Sequence, residues 1–231
     1  VWQGGQEGGN GAVDVLTGKV CACGKLTDTI AADIHDYPST ADFGDPYKNF
    51  YKEDIYVGYR YFETFAKDKV LYPFGYGLSY TTFETKAEIS GNTEDELTVS
   101  ATVTNTGSVK GKEVVQVYAK VPQGKLGNPA RKLIAFAKTA ELASGETEEL
   151  CIIIPKYDMA SYDDSGVTGH KSCYVLEAGT YEIFVGSDVR SVQPAGSYEE
   201  KFRVLEELQE AYAPVEAFRR MKAVQQPDGT Y

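Results

Sequence analysis

Two short stretches carry side chains suited to chemistry on a ligand. The first is Gly4-Gly5-Gln6-Glu7-Gly8-Gly9-Asn10-Gly11. There the glycines allow close backbone approach, and Gln6 and Glu7 offer an amide and a carboxylate for hydrogen bonding. A strand that feeds a glycine-rich turn and then a helix is also the arrangement that cradles phosphate. This stretch lacks both the dinucleotide spacing and the P-loop lysine and hydroxyl, and it places a carboxylate where a phosphate would sit. The nucleotide reading is set aside and no cofactor is expected. Two roles stay open for Glu7: contact with a ligand at the carboxyl edge of an α/β sheet, or bracing of the turn by accepting N–H bonds at the helix start. The second stretch is the polar loop Ser161-Tyr162-Asp163-Asp164-Ser165-Gly166-Val167-Thr168-Gly169-His170. Its length and its aromatic suit a loop at a pocket rim, with Tyr162 as a ring platform and Asp163 as an acceptor, and they equally suit a solvated hairpin excursion.

The elements that must position these residues are bounded by composition. With 231 residues, 42% hydrophobic and 25% charged, the chain is an ordinary globular sequence long enough for two modest units. A net charge of −11 argues against nucleic acid or an anionic membrane as partner. No run approaches the roughly 18 to 20 apolar residues of a membrane helix. Cys21 and Cys23 stand one residue apart, outside the zinc spacing of about two to four intervening residues, and His35 and His170 are far apart in sequence. No metal site is expected. Unpaired thiols favour a reducing, cytoplasmic setting, with a Cys151–Cys173 bridge left open. The chain starts at Val1, so the lack of a leader says little.

Along the chain, residues 1–35 read as the end of an α/β unit: a strand tail at Val1-Trp2, the glycine turn, and a short helix over Ala12–Leu16 that stops at Gly18. Residues 36–81 read as a long irregular connection. From residue 82 to 205 the period becomes that of strands: Phe83–Ile89, Leu97–Thr104, Lys112–Ala119, Lys132–Lys138, Glu149–Ile154, Gly179–Gly186 and Tyr198–Val204. Asn105-Thr106-Gly107-Ser108 and Ser144-Gly145-Glu146 are turns between them. About seven strands in this length predict an immunoglobulin-like sandwich of the fibronectin type III kind. Residues 206–231 read as a tail, with helix formers from Glu206 to Tyr212 stopped by Pro214.

The join between these units is dense in rings. Tyr56-Val57-Gly58-Tyr59-Arg60-Tyr61-Phe62 is followed by Leu71-Tyr72-Pro73-Phe74-Gly75-Tyr76-Gly77-Leu78-Ser79-Tyr80-Thr81-Thr82-Phe83. Its glycines and proline exclude a simple helix or strand and predict a shaped, packed loop. This signature, with Trp2–Asn10, Ala12–Lys19, Gly24–Thr29, Asn105-Thr106-Gly107, Leu133–Phe136, Ser144–Thr147 and Glu177–Gly186, resembles glycoside hydrolase family 3, the β-glucosidase family, over residues 1 to about 205.

The resemblance implies a mainly β chain: a fibronectin type III-like (immunoglobulin-like) β-sandwich preceded by a partial α/β sandwich segment. It implies a fragment of a retaining β-glucosidase acting on terminal non-reducing β-D-glucosyl residues. Both catalytic carboxylates would then lie elsewhere, the nucleophile in a barrel domain and the acid/base glutamate upstream of the glycine turn. The missing barrel and the rest of the α/β domain would be its partners, with a β-glucoside or oligosaccharide as substrate. Gln6, Glu7, Tyr162 and Asp163 are the substrate-contact candidates, Tyr162 by stacking on a sugar. The segment Ala213–Met221 looks like a continuation towards the barrel in relatives with permuted domain order. A non-enzymatic β-sandwich module that binds carbohydrate or protein is the alternative, and a homo-oligomer stays open.

Overall fold

The computed structural model describes residues 4–213 and 215–231; the expected strand tail at Val1-Trp2 and the stop at Pro214 lie outside them. Helix α1 spans Gly8–Leu16 and stops where the backbone turns left-handed at Gly18 (φ +74°). A two-residue strand β1 (Ile30–Ala31) pairs antiparallel with β2 (Val70–Tyr72). Between them, Tyr59–Phe65 forms a second helix, α2, after Gly58 at φ +56°. The aromatic run is thus partly helical, contrary to the loop expected from its glycines. Gly58 permits the entry turn, and residues 59–65 carry no proline.

The sandwich follows. Strands β3 (Phe83–Asn92), β4 (Glu96–Asn105) and β7 (Thr147–Pro155) make one antiparallel sheet in the order β3-β4-β7. Strands β5 (Val114–Lys120), β6 (Lys132–Lys138), β10 (Gly179–Gly186) and β11 (Val192–Glu200) make the other in the order β11-β10-β5-β6. Alternate residues of β4 (Leu97, Val99, Ala101, Val103) meet Val115, Val117 and Ala119 of β5 and Ile183 and Val185 of β10 in the core. The Tyr181 hydroxyl donates to the Glu177 carbonyl at 3.0 Å, the return bond of a tyrosine corner. At the predicted Asn105 turn, the buried amide donates to the carbonyls of Val109 (2.9 Å) and Leu142 (2.8 Å). Its oxygen accepts from the Thr81 hydroxyl at 2.7 Å and the Gly107 amide at 3.1 Å.

A third sheet, β12-β9-β8, is built from β8 (Ser161–Asp163), β9 (Cys173–Leu176) and β12 (Arg203–Glu207). It overturns the expected helix at Glu206–Tyr212. Val204 and Glu207 pair with Val175 and Cys173, so strand pairing outweighs the helix propensity of the glutamates, and the described residues beyond Glu207 are not helical. The expected strand Tyr198–Val204 is broken at Lys201-Phe202 between β11 and β12. All four cysteines are free. Cys151 is exposed and Cys173 buried, on strands of different sheets, so the Cys151–Cys173 bridge does not form.

Strand β5 is buried on both faces. Its outward residues Gln116 and Tyr118 are 4% and 0% exposed because the aromatic connection lies over them. Gln116 donates to the Ser187 carbonyl at 2.6 Å and more weakly to the Gly75 carbonyl at 3.4 Å, and it accepts from the Tyr118 hydroxyl at 2.6 Å. Gly75 holds φ +84°, and an added Cβ there would overlap the pinned Gln116 amide. Gly75→Ala is therefore expected to destabilise the chain by about 2 kcal/mol or more, from strain plus the displaced amide. Calorimetric unfolding of the two proteins measures this, and an unchanged Tm is the contrary result.

Candidate functional site

Adjacent residues of a strand point to opposite faces, and β8 uses this to separate Tyr162 from Asp163. Asp163 is wholly buried. One carboxylate oxygen accepts from the amides of Ser165 (3.1 Å), Gly166 (2.7 Å) and Val167 (3.2 Å) and from the Ser165 hydroxyl (3.1 Å). The other accepts from the Thr168 amide (2.8 Å) and hydroxyl (2.6 Å). Burial pushes its pKa up, but the bonds from Thr168, Gly166 and Ser165 outweigh it and hold the carboxyl at about 2. Asp163 therefore organises the 161–170 loop and is not presented to a ligand, a correction to its expected role as a substrate contact.

Tyr162 faces the other way and is 40% exposed. Its ring lies 5.1 Å from Tyr174 on β9, which in turn lies 5.1 Å from Tyr157, a run of three tyrosines. Tyr162 and Tyr174 line a cleft of about 750 Å³ between the loop, the start of the aromatic connection, the 126–132 segment and residues 220–222 of the tail. That volume and the aromatic wall suit a small-molecule site.

The cleft is closed by the tail. The Tyr56 hydroxyl accepts from the Ala223 amide at 2.8 Å, and the Met221 amide donates to the Lys52 carbonyl at 2.7 Å. Arg220 sits between Asp164 (2.6 Å) and Asp54 (3.3 Å). Burial pushes Asp54 up against the opposing pull of Arg220. On the inner wall, burial and then the neighbouring Arg60 guanidinium push the Lys132 ammonium down to about 8, and Lys132 donates to the Ala160 carbonyl at 2.7 Å.

Gln6 and Glu7 do not line this cleft. Both are exposed at the start of α1. Glu7 makes no capping bond to the helix backbone; its carboxylate accepts from the Asn10 side chain at 2.7 Å, so the expected bracing of the backbone N–H groups is absent. Helix α1 is tied to the connection through the Tyr80 hydroxyl, which donates to the Val15 carbonyl at 2.8 Å. Sequence pattern marks Tyr162 through its long polar loop, but nothing marks Asp54, Arg60, Lys132, Tyr174 or Arg220. Those residues are scattered along the chain and meet only through the fold.

Residues 1–80 match the family model for the glycosyl hydrolase family 3 C-terminal domain, and residues 113–189 match that for a fibronectin type III-like domain. The chain belongs to glycoside hydrolase family 3. Within this family it is 53% identical, over 96% of its length, to a β-glucosidase of Ruminococcus albus, and 47% identical, over its whole length, to β-glucosidase A of Butyrivibrio fibrisolvens. It spans only 23% and 30% of those two relatives. Among solved structures, a β-glucosidase from Paenibacillus barengoltzii superposes over the whole chain with a TM-score of 0.94 at 54% identity, this chain covering 26% of it. β-Glucosidase 3B from Thermotoga neapolitana, solved with α-D-glucose, superposes over 89% of the chain with a TM-score of 0.80 at 43% identity, this chain covering 28% of it.

Replacing Asp163 with alanine orphans the buried amides of its loop and is expected to cost on the order of 3 kcal/mol. Because the folded carboxyl titrates below the roughly 3.9 of an unfolded aspartate, its contribution is present above about pH 4 and lost as pH falls towards about 2. Urea unfolding of both proteins across that acid range reads out the prediction: the gap between them should narrow as pH falls. A gap independent of pH is the contrary result.

Proposed function

We propose that this chain is part of a retaining β-glucosidase that removes terminal non-reducing β-D-glucosyl residues. The reading is carried by identity above one half to β-glucosidases across nearly all of the chain, 53% in one relative and 54% in a solved structure. Residues 1–35 would close the α/β sandwich domain, 36–81 join the domains, 82–205 form the fibronectin type III-like sandwich, and 206–231 lead from it. The catalytic nucleophile and acid/base belong to the rest of the enzyme, the barrel and the remainder of the α/β domain, which are this chain's partners.

The physical work of the chain is then positioning. A retaining glycosidase needs its two carboxyl groups about 5 Å apart across one glycosidic bond, and a displacement of about 1 Å costs roughly a hundredfold in rate. The connection pinned to β5 would hold one domain against the next at that tolerance. Gln6 and Glu7, exposed at the start of α1, and Tyr162, exposed on the cleft, are the side chains free to meet a sugar; Asp163 acts on Tyr162 only by fixing its loop.

The intact enzyme should hydrolyse aryl β-glucosides with retention at the anomeric carbon, faster than the matching xylosides, arabinosides or N-acetylglucosaminides. The 231-residue chain alone should give no turnover. Turnover by the isolated chain, or preference of the intact enzyme for another glycoside, contradicts the proposal.

A further inference from the structure

The cleft has an electrostatic character at odds with the chain around it. Of the six charged side chains that line it, four are cations (Arg60, Lys132, Arg220, Lys222) and two are carboxylates (Asp54, Asp164), in a chain of net charge −11. Both carboxylates are engaged by Arg220. Arg60 and Lys132 stand close enough to repel one another, and neither has an ion-pair partner among the described residues; Asp158 pulls the Lys132 ammonium the other way, but without a direct ion pair. The one hydrogen bond from Lys132 goes to a neutral carbonyl, and the Arg60 guanidinium rests 6.0 Å from the Tyr59 ring. Two like charges held together in a half-buried wall, with no carboxylate at ion-pair distance, are costly for the fold alone, and groups perturbed in this way cluster at functional sites.

The opposite feature of the same cleft is apolar. Tyr162, 40% exposed and 5.1 Å from Tyr174, contributes an aromatic ring to the lining. An aromatic face beside a cation pair selects a ligand with an apolar ring face and an anionic edge. We propose that this cleft binds a saccharide bearing a carboxylate, a uronic acid unit, with its pyranose face on Tyr162 and its carboxylate between Arg60 and Lys132. A pyranose carboxylate projects from the ring edge, so stacking and ion pairing are satisfied together, whereas free phosphate would use only the cations. The inference rests on Tyr162 as a sugar-facing residue; the parent enzyme's turnover of aryl β-glucosides is a separate measurement and stands whatever the outcome here.

Isothermal titration of the 231-residue chain at neutral pH, where Lys132 is mostly charged, with methyl β-glucuronide, methyl β-glucoside and inorganic phosphate tests it. The glucuronide should bind saturably and about tenfold or more tighter than the glucoside, the scale of one charge-assisted contact. Tyr162→Ala should weaken the glucuronide by about tenfold and leave phosphate unchanged. Lys132→Gln should remove the preference for the glucuronide; should that variant fail to fold by circular dichroism, Arg60→Gln gives the same readout. Equal affinity for glucuronide and glucoside, phosphate binding as tightly as the glucuronide, or no saturable binding of the glucuronide overturns the proposal.

Discussion

Burial of strand β5 on both faces is the constraint on which the rest of the chain depends. In a free-standing sandwich its outward residues would meet water; here Gln116 and Tyr118 are sealed beneath the aromatic connection. A buried amide must find partners, and Gln116 finds them in the Ser187 carbonyl, the Tyr118 hydroxyl and, at longer range, the Gly75 carbonyl. Tyr59 packs 4.6 Å from Phe74 and accepts the Leu133 amide at 2.8 Å. Glu63, 4% exposed, takes the Arg190 guanidinium at 2.8 Å. Arg190 is itself exposed, but removing it would leave the Glu63 carboxylate buried and unpaired, as removing a partner of Gln116 would leave its amide, so the join is stiff because its pieces are costly to lose singly.

From that join, order passes in both directions. The Gly75 and Leu26 amides exchange hydrogen bonds at 2.8 Å with the Leu26 and Tyr76 carbonyls, drawing the 24–31 segment alongside the connection. Lys25 and Glu113 close the same seam with a shielded ion pair at 2.8 Å. At the other end the tail is held by isolated contacts: Phe50 against Phe218 at 5.4 Å, Lys48 with Glu216 at 2.8 Å, and the Tyr56–Ala223 bond. The cleft between the tail and the Asp163-ordered loop follows from these two attachments.

How much of this was legible in the sequence follows the physics of each element. Strands such as β4 and β10 announce themselves because one face is buried and the other more open, which writes a period of two into them. The short strands β8 and β9 carry no such signal; they exist because β12 lies beside β9. The helix expected after Leu205 fails for the same reason, since strand pairing at Val204–Val175 overrides propensity. At the candidate site, the loop bearing Tyr162 was readable and the opposite facing of Asp163 was not, because facing depends on register. Arg60 and Lys132 are ordinary surface cations in the sequence, and only the fold places them side by side.

Native-state hydrogen exchange tests the central claim most directly. If the connection and the sandwich form one cooperative body, the amides of Ala130, Leu133 and Val189, which bond across the join, should exchange with the same opening free energy as the core amides of β4 and β5. Exchange of those three at markedly lower free energy, with β4 and β5 still protected, would show the connection opening independently and contradict the account.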